Sequence, residues 1–204
     1  MSPSLQQFRK NVESLNSLTI IYDYLNEHRL GDVIELDKVL RAQYVLLVSA
    51  FDFYVHDVVR SGMIETLEGE REQSKAFEKF SIPLKYIQAI MRSDSLESKK
   101  AFVSKAIKEV TEKDSYQAPQ NVERALSLIA VSKIWSTIAN DLAMPANDIK
   151  RRLNLIVNRR NQIAHEADYD TLKAAKRSMS QEDMSDTLQF VTNVVEAIDR
   201  AVFG

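Results

Sequence analysis

Turn-forming residues are scarce in this chain: four glycines and four prolines are spread over 204 residues. A sheet-rich fold needs Gly, Pro or Asn-Gly punctuation at nearly every hairpin, so the scarcity favours long helices joined by few turns. Apolar residues make up 45% of the chain, enough to bury a core, and the length suits one domain. The expectation is an all-α single domain over residues 1–204.

Apolar spacing of three and four marks the helices. Leu5, Phe8, Val12, Leu15, Leu18, Ile21, Tyr22 and Leu25 predict a first helix from Leu5 to about Leu30, ended by Gly31-Asp32. The second runs from about Glu35 to Ser61 and stops at Gly62; residues 64–80 are strongly charged and read as a weaker helix or a connection. A short helix follows Pro83, another covers 95–113, and Pro119 opens one that continues to Leu142. Asn147 caps a helix over 149–167, and Ser180 with Asp183 caps the last, 182–203. Residues 64–118 sit between two apolar halves and read as a helical insertion.

The second helix carries two apolar stripes: Leu36, Leu40, Leu47, Phe51, Tyr54 and Val58 form one, and Val45, Val48, Val55 and Val59 the other. They lie roughly 100° apart around the axis. Such a helix is central, and its second stripe meets either more of its own chain or a second subunit. Asp52 falls within the valine stripe, where a carboxylate needs a cationic or hydrogen-bonding partner.

Composition excludes several chemistries. With no cysteine there is no disulfide, thiolate zinc site or thiol nucleophile. The three histidines are far apart and no His-x3-His or Glu-x2-His pair occurs, so no metal is expected; the absence of a glycine-rich phosphate loop argues likewise against nucleotide cofactors. No segment approaches the roughly 20 apolar residues that span a bilayer, and the first residues lack a signal core, so a cytoplasmic protein is expected. Net charge is −2, but residues 150–177 hold eight Lys or Arg against Glu166, Asp168 and Asp170, which puts that segment at +5 and the rest at −7.

Inside the basic segment lies Arg159-Arg160-Asn161-Gln162-Ile163-Ala164-His165-Glu166. Arg160, Asn161 and His165 match the four-residue spacing of an Arg-x4-His signature, and the chain resembles the HEPN superfamily, in particular its RiboL-PSP branch. The resemblance rests on RNQIAHEAD at 160–168 and on RAQYVLLVSAFDFYVHD at 41–57, and covers about 36–62 and 147–200. It implies a bundle of roughly six to eight helices with antiparallel core helices, and metal-independent RNA cleavage at a cleft where two motif helices meet across a homodimer. RNA supplies its own nucleophile, the 2′-hydroxyl. His165 is the residue type that moves a proton near neutral pH. Arg160, a permanent forked cation, suits charge developing on the phosphate. Asn161 is placed to orient the histidine or touch the phosphate. Arg159 and Glu166 flank the motif as supporting residues. An effector of a toxin–antitoxin or phage-defence system, with an antitoxin or other regulatory partner, is the implied setting.

On an ideal helix, positions five apart differ by about 140°, so Arg160 and His165 do not share a face. Asn158, Asn161 and His165 do, opposite Ile149, Ile156 and Ile163. Either the helix is distorted or Arg160 reaches round to a carboxylate of the second helix, for which Asp52 is the sequence's candidate. Competing readings are open: a non-catalytic HEPN module binding RNA, nucleotide or protein, or a helical assembly protein joined through the valine stripe. His56 reads as a half-exposed structural histidine or a second proton carrier, and His28 as a helix-end charge partner.

Overall fold

A computed structural model describes residues 1–32, 35–166, 168–170 and 175–204. The α-helices are α1 Pro3–Ser14, α2 Asn16–Glu27, α3 Asp37–Glu68, α4 Lys75–Glu78, α5 Leu84–Met91, α6 Leu96–Thr111, α7 Pro119–Ser127, α8 Ile134–Leu142, α9 Ala146–His165 and α10 Gln181–Phe203. Strands β1 (Tyr169–Asp170) and β2 (Ala175–Lys176) form a two-residue antiparallel ladder between α9 and α10, with Tyr169 opposite Lys176. The fold is therefore all-α, as the turn-residue scarcity requires. No helix among the described residues is long and apolar enough to cross a membrane.

Helix starts follow local chemistry. The Ser2 hydroxyl accepts from the Leu5 amide, with Pro3 in the first turn of α1. Ser95 caps α6 in the same way. Ser180 and Asp183 form a reciprocal capping box at α10. Helix α9 instead opens after Pro145, before Asn147, so Asn147 lies inside its first turn.

Two breaks escaped the periodicity, whereas the end of α8 at Leu142 is where the sequence places it. The single first helix is two, parted at Leu15, where the Ser14 and Ser17 hydroxyls donate back to the Asn11 and Ser14 carbonyls and compete with the ladder. The helix begun at Pro119 ends at Ser127, where Val131 N–H donates to Leu126 O and Ala130 takes φ 60°. Met144 N–H donates to Ala139 O in the same way after α8, with Ala143 at φ 48°. These are left-handed helix ends built on alanine, so no glycine announced them. Conversely, Gly62 does not end α3. A Cβ there would sit 2.7 Å from Ile129 Cγ2, so the glycine serves close packing inside a helix. The helix closes at Gly69, φ 79°, where Glu70 N–H donates to Glu65 O.

The chain forms two compact units, Met1–Tyr54 with Trp135–Gly204, and Val55–Ile134. The second is wider at both ends than the 64–118 stretch. The first unit buries Phe8, Leu47, Phe51 and Tyr54 with Ile138, Ile149, Leu153 and the α10 residues Val191, Val194, Val195 and Ile198. Phe8 meets Tyr54 edge-on at 5.9 Å, and the Tyr54 hydroxyl donates to buried Asp199, 3.4 Å away. The second buries Val58, Met63, Ile107, Val122, Leu126 and Ile129. Val48, Val55 and Val59 are at most 1% exposed, while Leu36 and Val45, at the head of the two stripes, are half-buried. Most of the valine stripe is thus buried within one chain.

Candidate functional site

Helix α9 is amphipathic. Ile149, Leu153, Ile156 and Val157 face the core of the first unit. Asn158, Asn161 and His165 are exposed on the other side, as their 3–4 spacing requires. The helix is regular through His165, so the distortion that could have drawn Arg160 and His165 onto one face is absent. Arg160 is half-buried, and its Nη1 donates to Asn161 Oδ1 at 3.0 Å. Asp52, the partner that the stripes of α3 suggested for Arg160, is half-buried on α3. His165 stands exposed in the last turn and makes no hydrogen bond or ion pair among the described residues. Glu166 is exposed at the helix end, its amide returned to Gln162 O at 2.9 Å.

The most heavily engaged group of this region lies two residues further on. Asp168 is fully buried and adopts φ 58°. Its Oδ2 accepts from Arg41 Nε and from Arg159 Nη2, both at 2.8 Å. Arg41 also pairs with Asp37 one turn earlier and donates to Arg177 O at 2.6 Å. Arg159 reaches Ser178 O at 3.0 Å, and the Arg177 guanidinium donates to Gln162 Oε1. Burial works against the Arg41 charge, but the hydrogen bonds to Asp37 and Asp168 outweigh it and hold its pKa above the ordinary arginine value. The head of α3, the end of α9 and the strand segment after it are thereby tied together inside one unit.

Sequence reasoning named Arg159 only as a flank of the motif and missed Arg41 and Asp168. Both were in view, at the first position of the second-helix stretch and the last of RNQIAHEAD, but nothing local tells a buried Asp from a solvated one.

Beside this anchor a cavity of about 450 Å³ opens on α9, lined by Tyr44, Arg152, Asn158, Arg159, Gln162 and Arg177 among others. Arg152 pairs with Asp186 of α10 and stacks over the Phe190 ring at 4.3 Å. Burial pushes the Tyr44 hydroxyl up to about 12, which keeps it a neutral donor at physiological pH. In the other unit, His56 is half-buried and stacks on Tyr116 at 4.2 Å, while His28 caps α2, its ring nitrogen 2.8 Å from Tyr24 O.

The family model described as RiboL-PSP-HEPN matches residues 8–203, continuously through the 64–118 stretch. No curated protein and no solved structure matches the chain.

Proposed function

The chain belongs to the RiboL-PSP-HEPN family, which points to an RNase or an RNA-binding module, and from that premise we propose that it is a metal-independent endoribonuclease using Arg160, Asn161 and His165. One observation carries the reading: His165 is exposed at the end of a rigid helix without a structural partner among the described residues, while Arg160, one turn back, is linked to Asn161. A histidine kept for structure is buried or pinned; this one is free to meet a substrate.

The 2′-oxygen of the RNA attacks the adjacent phosphorus, the bond to the 5′-oxygen breaks, and a 2′,3′-cyclic phosphate and a 5′-hydroxyl result. His165 takes the proton from the 2′-hydroxyl or delivers one to the leaving oxygen. Arg160 balances charge growing on the phosphate oxygens, and Asn161 fixes the guanidinium. Because Arg160 and His165 diverge around the helix, one copy presents them to different sides. A homodimer in which two motif helices meet lets the Arg160 of one copy work with the His165 of the other. Asp52 and Glu166 are assigned supporting roles at the edge of this arrangement. We place the enzyme in a toxin–antitoxin or phage-defence setting, held in check by a protein antitoxin.

The test is single-turnover cleavage of a labelled RNA in EDTA by the wild type, Arg160→Ala and His165→Ala, with sizing and circular dichroism on each. Cleavage by the wild type alone, leaving cyclic phosphate ends, supports the reading. RNA binding without cleavage in all three replaces it with the binding-module alternative.

A further inference from the structure

We propose that the cavity formed by Arg152, Arg159 and Arg177 is a second phosphate subsite, which grips a backbone phosphate of the RNA strand next to the one held at Arg160–His165. The proposal rests on the RNA reading above and deepens it. Three guanidinium groups line one cavity, and no carboxylate is among its described lining residues. Arg159 shares buried Asp168 with Arg41, which is also paired with Asp37. The Arg177 guanidinium donates to Gln162 Oε1 on the cavity wall. Arg152 is paired with Asp186, whose side chain is 70% exposed; a pair of that kind is worth about 0–1 kcal/mol and is readily exchanged for a phosphate.

The remaining lining fits a nucleotide rather than a bare anion. Asn158, Gln162 and the protonated Tyr44 supply hydrogen-bonding groups, and Leu155, 63% exposed, gives an apolar surface on which a sugar or base can rest. The cavity also leads toward the motif. Asn158 lines it and shares a helix face with Asn161 and His165, and Arg159 precedes His165 by six residues, about 9 Å along the axis. A strand lying along α9 can therefore pass from the cavity, by way of Asn158, to His165. Arg159 anchors the cavity wall through Asp168, whereas Arg152, held by exposed Asp186, is a side chain able to turn to the ligand.

The experiment is fluorescence anisotropy of a labelled single-stranded RNA oligonucleotide over a range of KCl in EDTA. It uses the full chain, with His165→Ala in every sample to prevent turnover, alone and combined with Arg152→Gln, Arg177→Gln or both. The double Gln variant should bind about tenfold more weakly, and its slope of log K against log salt should be shallower by about 0.7 for each phosphate it no longer neutralises. Lys at both positions keeps the charge and should restore the slope; a loss that Lys does not restore marks a packing role and overturns the proposal, as does wild-type affinity and slope in the double Gln variant. Cleavage by the double Gln variant with His165 intact should show a raised KM at nearly unchanged kcat. The subsite and the catalytic reading fail separately: salt-dependent loss without any wild-type cleavage leaves the subsite standing, and intact cleavage with unaltered binding removes only the subsite.

Discussion

Arg159 and Arg160 are adjacent on α9 and chemically identical, yet the two sides of the helix treat them differently. On one side Arg159 enters a buried cluster and shares the fully buried Asp168 with Arg41 of α3. On another, Arg160 donates to the Asn161 side chain, and a further face of the helix carries exposed Asn161 and exposed His165. The first side is anchored at Asp168, where Arg41 and Arg159 hold chain segments together. The second is left with groups that water, RNA or another protein can reach. A helix end can be positioned precisely only if something nearby is anchored, and here the anchor and the free groups are consecutive residues.

The division of labour can be broken most directly at the histidine. His165→Ala should slow single-turnover RNA cleavage by about 100- to 10,000-fold while leaving the urea midpoint within about 0.5 kcal/mol of wild type. A large stability loss there would show that the exposed side is structural after all. Asp168→Ala should do the reverse in kind, destabilising by about 3–5 kcal/mol in urea melts, because it strands two guanidinium groups in a buried site. If that variant unfolds at the wild-type midpoint, the anchor is not an anchor. Gly62→Ala, in the other unit, sharpens the contrast between polar and steric anchoring. Its new Cβ meets Ile129 at 2.7 Å, and a loss of about 1–3 kcal/mol is expected from overpacking, with RNA cleavage at wild-type rate once folded.

The smallest effect belongs to the α10 capping box. Ser180→Ala should cost about 1 kcal/mol. The Ser180 hydroxyl, then its amide, hold the Asp183 carboxyl below its ordinary pKa. Such a group contributes stability that is fully present above the usual aspartate range and is lost as pH falls through the lowered folded value. The gap between wild type and Ser180→Ala should therefore be constant near neutrality and close in acid, which thermal melts at stepped pH would read.

Fold class was legible because it rests on sums over many positions. Few glycines and prolines, and apolar residues at helical spacing, favour helices whatever the detailed contacts. The capping box at Ser180 and the start after Pro83 were legible because caps act within one turn. The breaks at Leu15 and Ala130 were not, since serine back-bonding and an alanine in the left-handed region leave no punctuation. Gly62 misled for the complementary reason: its meaning depends on Ile129, 67 residues away. In the site, the positions of Asn158, Asn161 and His165 on one exposed face followed from the 3.6-residue period alone. The Arg160 partner did not, because a long side chain has several carboxylates and amides within reach on paper.

By itself the sequence determined the helical class, the family signature at Arg160, Asn161 and His165, and the polar face that displays them. These depend on residue type and local spacing, which chain order already contains. Only the tertiary structure decided that most of the valine stripe of α3 is buried inside one chain, that Arg159 and not Arg160 pairs with a buried carboxylate, and that Asp168 joins it to Arg41. Those outcomes turn on contacts between residues up to 127 positions apart. Which of two adjacent guanidinium groups enters an ion pair is settled by the carboxylate the fold brings to it.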